Sequence, residues 1–165
     1  MSETAANGQD GAAVQSPVLI VNAQYLRDLS FENPRAPESL IGQSGPPEVN
    51  VEIDVKARQL NPEVFEVVLA IQVEARTNNE VTFLIELDYG AVVTIRNAAP
   101  EVTAALILVE APRLLFPFAR NVIADATRDG GFPPLMINPI DFAELQRRKA
   151  QRAAEGGSAA PPESA

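Results

Sequence analysis

Two pairs of carboxylates are the first candidates for chemistry, because each pair occupies positions i and i+2 of a run with alternating apolar residues. The pairs are Glu52 with Asp54 and Glu86 with Asp88. Residues two apart on a strand share one face, so each pair could exchange a proton or hold a divalent cation. The sequence places no third hard ligand beside either pair and carries no phosphate-binding glycine loop. An acidic strand face in solvent is therefore the favoured interpretation.

The composition removes most other catalytic chemistry. The 165 residues include no histidine and no cysteine. Imidazole proton transfer, Ser-His-Asp and Cys-His nucleophiles, zinc sites of the HExxH type and disulfides are therefore excluded. Ser44 lies between glycines but has no histidine or nearby lysine to activate it. We expect no cofactor and no metal.

Period-two alternation of apolar and polar residues predicts four strands, over residues 18–31, 48–58, 64–75 and 81–89. Short turns separate the last three strands, which is typical of hairpins. Fifteen residues with four prolines lie between the first two strands, and this length is typical of a crossover. The pattern predicts one antiparallel sheet with an acidic wet face and an aliphatic dry face.

A long helix is predicted from Pro100 to a C-cap at Gly130. Pro112 and Pro117 should kink or break it, since proline lacks an N–H group and clashes with the preceding turn. Residues 104–109 are apolar on all sides, so this part must be buried on more than one side. One sheet covers only one side, and the sequence therefore predicts that a second copy of the chain covers the other.

A second helix is predicted after Asn138-Pro139, with Asp141 in its first turn. Its basic run, residues 147–149, is interpreted as complementing the helix dipole near the C-terminal end and as aiding solubility. The predicted fold class is α+β: a four-stranded antiparallel sheet with a long crossover loop, then a long kinked helix and a shorter C-terminal helix.

Domain limits and location follow from composition. Residues 17–152 form the expected domain, and residues 1–16 and 153–165 are expected to be disordered tails, because they hold little apolar surface to bury. The N-terminus has no signal-peptide pattern, and the apolar runs are shorter than the roughly 20 residues of a membrane helix. We expect a cytoplasmic protein. Its net charge of −9 favours a cationic partner and disfavours nucleic acid.

Three stretches together resemble SecB, the family of bacterial protein-export chaperones. They are YLRDLSFENPRAP at 25–37, LLFPFAR at 114–120 and GGFPPLMINPIDF at 130–142. The resemblance covers residues 18–146 and implies a chaperone, not an enzyme. Such a protein holds unfolded precursors of exported proteins without ATP and delivers them to SecA, the translocase ATPase. The family's assembly is a homotetramer, a dimer of dimers, with the long helices between two sheets.

The resemblance also implies three sets of site residues. The SecA-binding set is Asp28, Glu32, Leu84 and Glu86. The groove that binds unfolded clients is implied to include Leu40, Ile41, Val51, Ile53, Phe142 and Leu145. The set at the tetramer interface is Phe83, Ile85, Leu87 and Tyr89. The crossover loop departs from some relatives, because it has GQSG where they carry a tryptophan.

Other interpretations remain beside these. For Asp28, Glu32 and Glu86 the plain alternative is a solvated strand face, and for Phe116 and Phe118 it is core packing, which we favour. Two other functions stay open at this point. One is a small carboxylate-dependent enzyme built on the carboxylate pairs, and the other is a SecB-like chaperone with a dedicated client outside export, such as an aggregation-prone toxin.

Overall fold

The computed structural model describes residues 15–42 and 45–156. One antiparallel sheet contains all four strands, in the order β1-β4-β3-β2. The strands are β1 (Val18–Glu32), β2 (Glu48–Asn61), β3 (Val64–Thr77) and β4 (Glu80–Arg96). Two helices follow, α1 (Pro100–Asp129) and α2 (Phe142–Gly156). The predicted fold class is confirmed, and the crossover carries the chain from one edge of the sheet to the other.

Asparagine residues form both hairpin turns, one through their backbone conformation and the other through a side chain. Asn78 and Asn79 adopt φ of 53° and 64°, the left-handed pair that a two-residue hairpin needs. In the other turn, the Asn61 side-chain oxygen accepts hydrogen bonds from the backbone N–H groups of Glu63 and Val64, at 3.2 and 3.0 Å. Both turns lie where the sequence predicts them.

β4 continues to Arg96, seven residues beyond its predicted end at Tyr89. The alternation of apolar and polar residues stops at Gly90, so the sequence pattern predicts an earlier end of the strand. The structure explains the glycine: a Cβ at this position would lie 2.7 Å from the ring of Tyr25, which crosses β4 on the wet face. The Tyr25 hydroxyl then donates a 2.5 Å hydrogen bond to Glu66 on β3. A glycine in mid-strand therefore marks a close approach of a side chain.

The contact between Tyr25 and Glu66 changes the acidity of both groups. The hydrogen bond from Tyr25, and next that from Arg58, lower the pKa of Glu66, while burial and the same hydrogen bond raise the pKa of Tyr25. A carboxylate with a lowered folded pKa stabilises the fold above the pKa of its unfolded state. This stabilisation is lost as the pH falls through the folded pKa of Glu66.

α1 is one continuous helix, so the prolines do not break it, and the backbone is instead distorted before Pro112. Residues Leu106–Glu110, just before Pro112, are π-helical, and the N–H of Ala111 donates to the Leu106 carbonyl five residues back. This wider turn gives a proline ring room that an α-helical turn lacks. Pro117 lies on the exposed side of the helix, where water can reach the carbonyl that it leaves unpaired.

The core lies between α1 and the dry face of the sheet. Ile107, Leu115, Ala119 and Ile123 of α1 belong to one buried cluster with the dry-face residues of the three strands β2, β3 and β4. These dry-face residues include Val55, Leu69, Ile71, Val73, Phe83, Ile85, Leu87, Val93 and Ile95. The alternation in the sequence therefore identifies the buried face of the sheet correctly.

The other side of α1 remains uncovered within one chain. Val102, Ala104, Ala105, Leu114 and Phe118 are all exposed. The interpretation of Phe118 as core is therefore wrong, since its side chain is 51% exposed, whereas Phe116 is buried as expected. α1 is also long and apolar enough to cross a membrane, contrary to the sequence-based expectation, although 33% of its apolar window is buried in the protein. The central helix of a soluble protein has the same character.

The limits of the predicted tails differ in part from the structure. α2 extends to Gly156, so residues 153–156 continue the helix where the sequence predicts a tail. The remainder of that tail, and residues 1–14 of the other, lie outside the described residues.

Candidate functional site

An apolar groove of about 440 Å³ runs along the dry face of β2, at the edge of the sheet. Val49, Val51 and Ile53 of β2 form one wall. Residues 135–140, which connect the two helices, and Leu145 of α2 form the other. The three β2 side chains are partly buried because they pack against the core on one side and face the groove on the other.

Thr127 fixes the connection between the helices in place. Its buried hydroxyl donates to the carbonyls of Ile123 and Ala124, at 3.0 and 2.9 Å, and accepts a 2.8 Å hydrogen bond from the Leu135 N–H. Gly131, with φ of 91°, reverses the chain just after α1. The segment beyond it therefore returns over the sheet in an extended form and presents its side chains to the groove.

Aromatic contacts anchor both ends of this connecting segment. Phe132 packs on Phe83 and Phe31, with ring centroids 4.9 and 6.4 Å away. Phe142, at the start of α2, packs edge-on against Phe116 at 6.1 Å. These buried contacts hold both ends of the groove wall rigid.

The start and middle of α2 are also fixed. The Asp141 carboxylate accepts a 3.0 Å hydrogen bond from the Glu144 N–H, as an N-cap residue does, and this bond lowers the pKa of Asp141. Further along, Lys149 forms a 2.6 Å ion pair with Asp54 of β2. α2 is thereby tied to the edge strand, and Leu145 lies between the two ties.

The structure brings together only some of the predicted groove residues. Val51, Ile53 and Leu145 line one groove, as the sequence implies. Phe142 does not, because its side chain is 1% exposed and belongs to the core. Leu40 packs toward Gly131, and Ile41 borders a separate polar hollow of about 120 Å³.

Sequence reasoning missed much of the groove. The missed residues are Val49, Leu135, Met136, Ile137 and Ile140. Val49 shares the parity of Val51 and Ile53, so the alternation of β2 could have identified it. The others come from a segment with neither helical nor strand periodicity, where only an apolar run broken by prolines signals a structured connection.

The wet face of the sheet forms a second site, a shallow acidic depression of about 430 Å³. Strand register arranges the residues of the wet face here in three cross-strand rows, each from β1 to β2; the first two rows line the depression and the third lies beside it. The rows are Glu32–Leu84–Glu74–Asn50, Ser30–Glu86–Gln72–Glu52 and Asp28–Asp88–Ala70–Asp54. All four predicted SecA-binding residues therefore lie on one face of β1 and β4, with Glu32 directly opposite Leu84.

Most carboxylates of these three rows form no ion pair. Glu74 contacts Arg76 and Asp54 contacts Lys149. Within the described part of the chain, the others form no ion pair: Asp28, Glu32, Glu52, Glu86 and Asp88. The same part of the chain contains no cluster of acidic residues suited to a metal ion. The face is therefore an anionic surface around a partly buried leucine, which suits a cationic protein partner.

The residues implied at the tetramer interface lie mostly inside the protomer. Phe83, Ile85 and Leu87 are 3%, 1% and 2% exposed and pack in the core of their own chain. Their side chains are therefore not available for direct contact with a second copy. Tyr89 is partly exposed, and its ring stacks on Phe118 at 6.5 Å.

A different set of apolar side chains is available for such a contact. Leu26 and Leu29 of β1 and Leu114 and Phe118 of α1 are exposed large hydrophobic residues. They lie beside the stack of Tyr89 on Phe118, on the side of the molecule away from the groove edge. Strict alternation along β1 misplaces Leu26, because it lies between two β-bulges that shift the register of β1 against β4.

Comparison with known proteins identifies the family. A family model described as "Preprotein translocase subunit SecB" matches residues 12–153. The chain belongs to the SecB family. The Protein-export protein SecB of Rhodospirillum centenum is 48% identical over 160 residues, which cover 94% of this chain and 95% of that protein. The counterpart of Bradyrhizobium sp. (strain BTAi1) is 47% identical over 160 residues, covering 96% and 99%.

A solved structure supports the fold. The SecB-like chaperone of Mycobacterium tuberculosis, solved with a ChAD peptide from the HigA1 antitoxin, aligns with a TM-score of 0.61 over 74% of this chain and 90% of its own. Its sequence is 16% identical, so the likeness concerns the fold alone. With the family established, the predicted class of protein-export chaperone is confirmed. The alternative of a carboxylate-dependent enzyme is wrong, since SecB proteins are chaperones.

The hydrogen bonds of Thr127 predict how strongly the groove wall depends on one hydroxyl. Thr127→Val keeps the shape but leaves the partly buried Leu135 N–H without its acceptor, so we expect a loss of about 1–3 kcal/mol in the free energy of unfolding. Urea denaturation measures this loss. Thr103→Val is the matched control, because that hydroxyl forms a single 3.5 Å hydrogen bond, to the Ala98 carbonyl. Equal losses in both variants would contradict this role for Thr127.

Proposed function

We propose that this protein is an ATP-independent holdase, which binds unfolded precursors of exported proteins in the groove beside β2 and delivers them to SecA. The observation that carries the proposal is a rigidly anchored apolar groove at an open sheet edge. Unfolded chains expose apolar side chains that a folded protein hides, and such a groove covers them without any chemical step. Two relatives named for protein export are 48% and 47% identical over nearly the whole chain, which favours export over a dedicated client outside it.

The groove suits extended segments of varied sequence. Its wall includes Met136, a flexible and polarizable side chain that adapts to different partners. Apart from Asn138, the remaining lining residues are aliphatic, so binding depends on buried apolar area and not on a sequence motif. Exchange between bound and free client then needs no nucleotide, because the contacts are individually weak.

SecA docking is proposed on the acidic wet face. Asp28, Glu32 and Glu86 supply unpaired negative charge there, and Leu84 supplies an apolar anchor among them. Charge of this kind accelerates encounter with a cationic partner, and the anchor adds affinity once the two surfaces meet. The wet face and the groove lie on opposite faces of the sheet, so one protomer can hold a client and contact SecA together.

A homotetramer is proposed as the assembly, in the cytoplasm. The uncovered side of α1 and the outer part of β1 present a connected apolar surface, which is unfavourable in water. A second copy of the same chain offers a self-complementary cover for it. The dimer of dimers that the family resemblance implies would bury both the β1 surface and the uncovered side of α1.

The groove proposal is tested by changing one exposed lining residue. Met136→Asp places a charge among the apolar contacts and should weaken client binding by about tenfold, since burial of a methionine contributes about 1.5–3 kcal/mol. Light scattering of an aggregating secreted precursor, without nucleotide, measures the holding activity. Leu60→Asp is the control, because Leu60 is also exposed but lies outside the groove. Equal activity of the two variants would contradict the proposed groove.

The docking proposal is tested by charge reversal. Glu32→Lys or Glu86→Lys should weaken SecA binding by about tenfold and leave client holding unchanged, because attraction becomes repulsion at an exposed site. Leu84→Arg should have a similar effect by removing the anchor. Glu63→Lys is the control: it reverses a charge on the turn at the other end of the sheet. Calorimetry measures the affinity at low and high salt, and wild-type affinity that does not fall with salt would count against the proposal.

The assembly proposal is tested by mass. Size-exclusion chromatography with light scattering should give a tetramer for the wild type and a smaller species for Leu26→Asp or Leu114→Asp. Both side chains are about half exposed in the protomer, so each variant should fold. Leu60→Asp should keep the tetramer. A wild-type monomer at micromolar concentration would refute this assembly.

A further inference from the structure

One carboxylate on the wet face connects the two edge strands of the sheet. We call this contact the Glu66 clamp, and it consists of Glu66 of β3, Tyr25 and Arg27 of β1, and Arg58 of β2. Oε1 of Glu66 accepts the 2.5 Å hydrogen bond from the Tyr25 hydroxyl and lies 3.8 Å from the Arg27 guanidinium. Oε2 accepts two hydrogen bonds from Arg58, at 3.1 and 2.8 Å. The Glu66 side chain is 12% exposed, so its neighbours surround it.

The clamp holds β1 on both sides of a β-bulge. The register of β1 against β4 shifts between Leu26 and Asp28, so Arg27 is an extra residue without a counterpart on β4. Tyr25 and Asp28 both lie on the wet face, although strict alternation would place residues three apart on opposite faces. The extra residue therefore switches the parity of the strand.

This switch decides which side chains of β1 reach the docking face. Beyond the bulge, Asp28 and Glu32 lie on the wet face, while Leu29 and Phe31 lie on the dry face. A regular strand that kept Tyr25 on the wet face would bring Leu29 and Phe31 there as well, and it would turn both carboxylates away. The acidic character of β1 on this face thus depends on the bulge.

Arg58 orients the carboxylate that holds the bulge. Two donors of its guanidinium group hold Oε2, which leaves Oε1 directed across β4 to Tyr25 and Arg27. These two residues lie on either side of Leu26, so a single oxygen contacts β1 at the bulge and just before it. β1 is an edge strand and pairs with β4 alone, so a side-chain contact from β3 adds to what fixes its register.

We propose that Glu66, oriented by Arg58, is a positioning residue for SecA docking, because it fixes the β1 bulge that directs Asp28 and Glu32 to the wet face. This inference rests on the proposed docking of SecA. Glu66 itself is little exposed and lies outside the predicted SecA-binding set. Attraction to a cationic partner does not explain Arg27 and Arg58 on the same face, whereas the clamp requires them.

The first test is a charge change for which the two explanations predict opposite signs. Arg58→Gln removes a positive charge from the wet face, so electrostatics alone would tighten the binding of a cationic partner. The clamp predicts instead that SecA binds about threefold to tenfold more weakly, which corresponds to the loss of one anchoring hydrogen-bonded contact. Calorimetry measures the affinity. Arg58 is 69% exposed, so the variant should fold.

Lys56→Gln is the matched control. Lys56 lies on the same face of β2, two residues before Arg58, and forms no ion pair within the part of the chain that the structure describes. The control therefore removes the same charge and leaves the clamp intact. SecA should bind it at least as tightly as the wild type.

The second test changes no charge. Tyr25→Phe keeps the ring over Gly90 and removes only the hydroxyl that Glu66 holds, and it should also weaken SecA binding. In the free protein, Tyr25→Phe and Arg58→Gln should both accelerate hydrogen exchange of the backbone amides at residues 26–32, whereas Lys56→Gln should not. Client holding should be unchanged in all three variants, because the groove lies on the other face of the sheet.

Glu32→Lys separates this inference from the proposed docking. If Glu32→Lys weakens SecA binding but Arg58→Gln and Tyr25→Phe do not, the positioning role is overturned and the docking face stands. If Glu32→Lys leaves SecA binding unchanged, both are overturned. Weaker binding of SecA without faster exchange at residues 26–32 also overturns the inference, as does an equal loss in Lys56→Gln.

Discussion

Burial of the dry sheet face against one side of α1 is the interaction on which the remaining structure depends. The apolar residues of β3 and β4 alternate over most of their length, and the face that they share enters the core. α1 covers the centre of that face, and the edge strand β2 extends past it, so Val49, Val51 and Ile53 keep a partly open side. The groove is thus the uncovered margin of the core, and the wet face is free for a separate partner.

Much of this arrangement can be predicted from the sequence, because the alternation of apolar and polar residues and the residue types of the turns depend only on neighbouring residues. The four strands, the crossover, the two helices and the polar-face positions Asp28, Glu32, Leu84 and Glu86 were all placed on the correct elements. Local signals fail where a distant residue decides the outcome. Gly90 indicates the end of a strand in the sequence, but in the structure the ring of Tyr25 crosses it in mid-strand. Pro112 indicates a helix break, but the π-helical turn before it accommodates the proline ring.

The predicted site residues show the same contrast between local signals and the effect of distant residues. Val51, Ile53 and Leu145 follow from the family resemblance and from periodicity, but Phe142 shares their apolar character and lies in the core, because Phe116 packs against it. The wall at residues 135–140 has no periodicity, since its conformation is set by Thr127 from another element. Of the interface residues that the resemblance implies, Phe83, Ile85 and Leu87 are buried in the protomer, whereas Leu26 and Leu29 of the edge strand β1 are exposed.

The central claim is that clients occupy the groove and leave the wet face free. Hydrogen exchange of the protein with and without a saturating unfolded client, in the absence of nucleotide, tests it most directly. The account predicts slower exchange at residues 135–140 and at the start of β2 when client is bound, with no change near Glu32 and Leu84. Slower exchange around Glu32 and Leu84, with residues 135–140 unaffected, would contradict it.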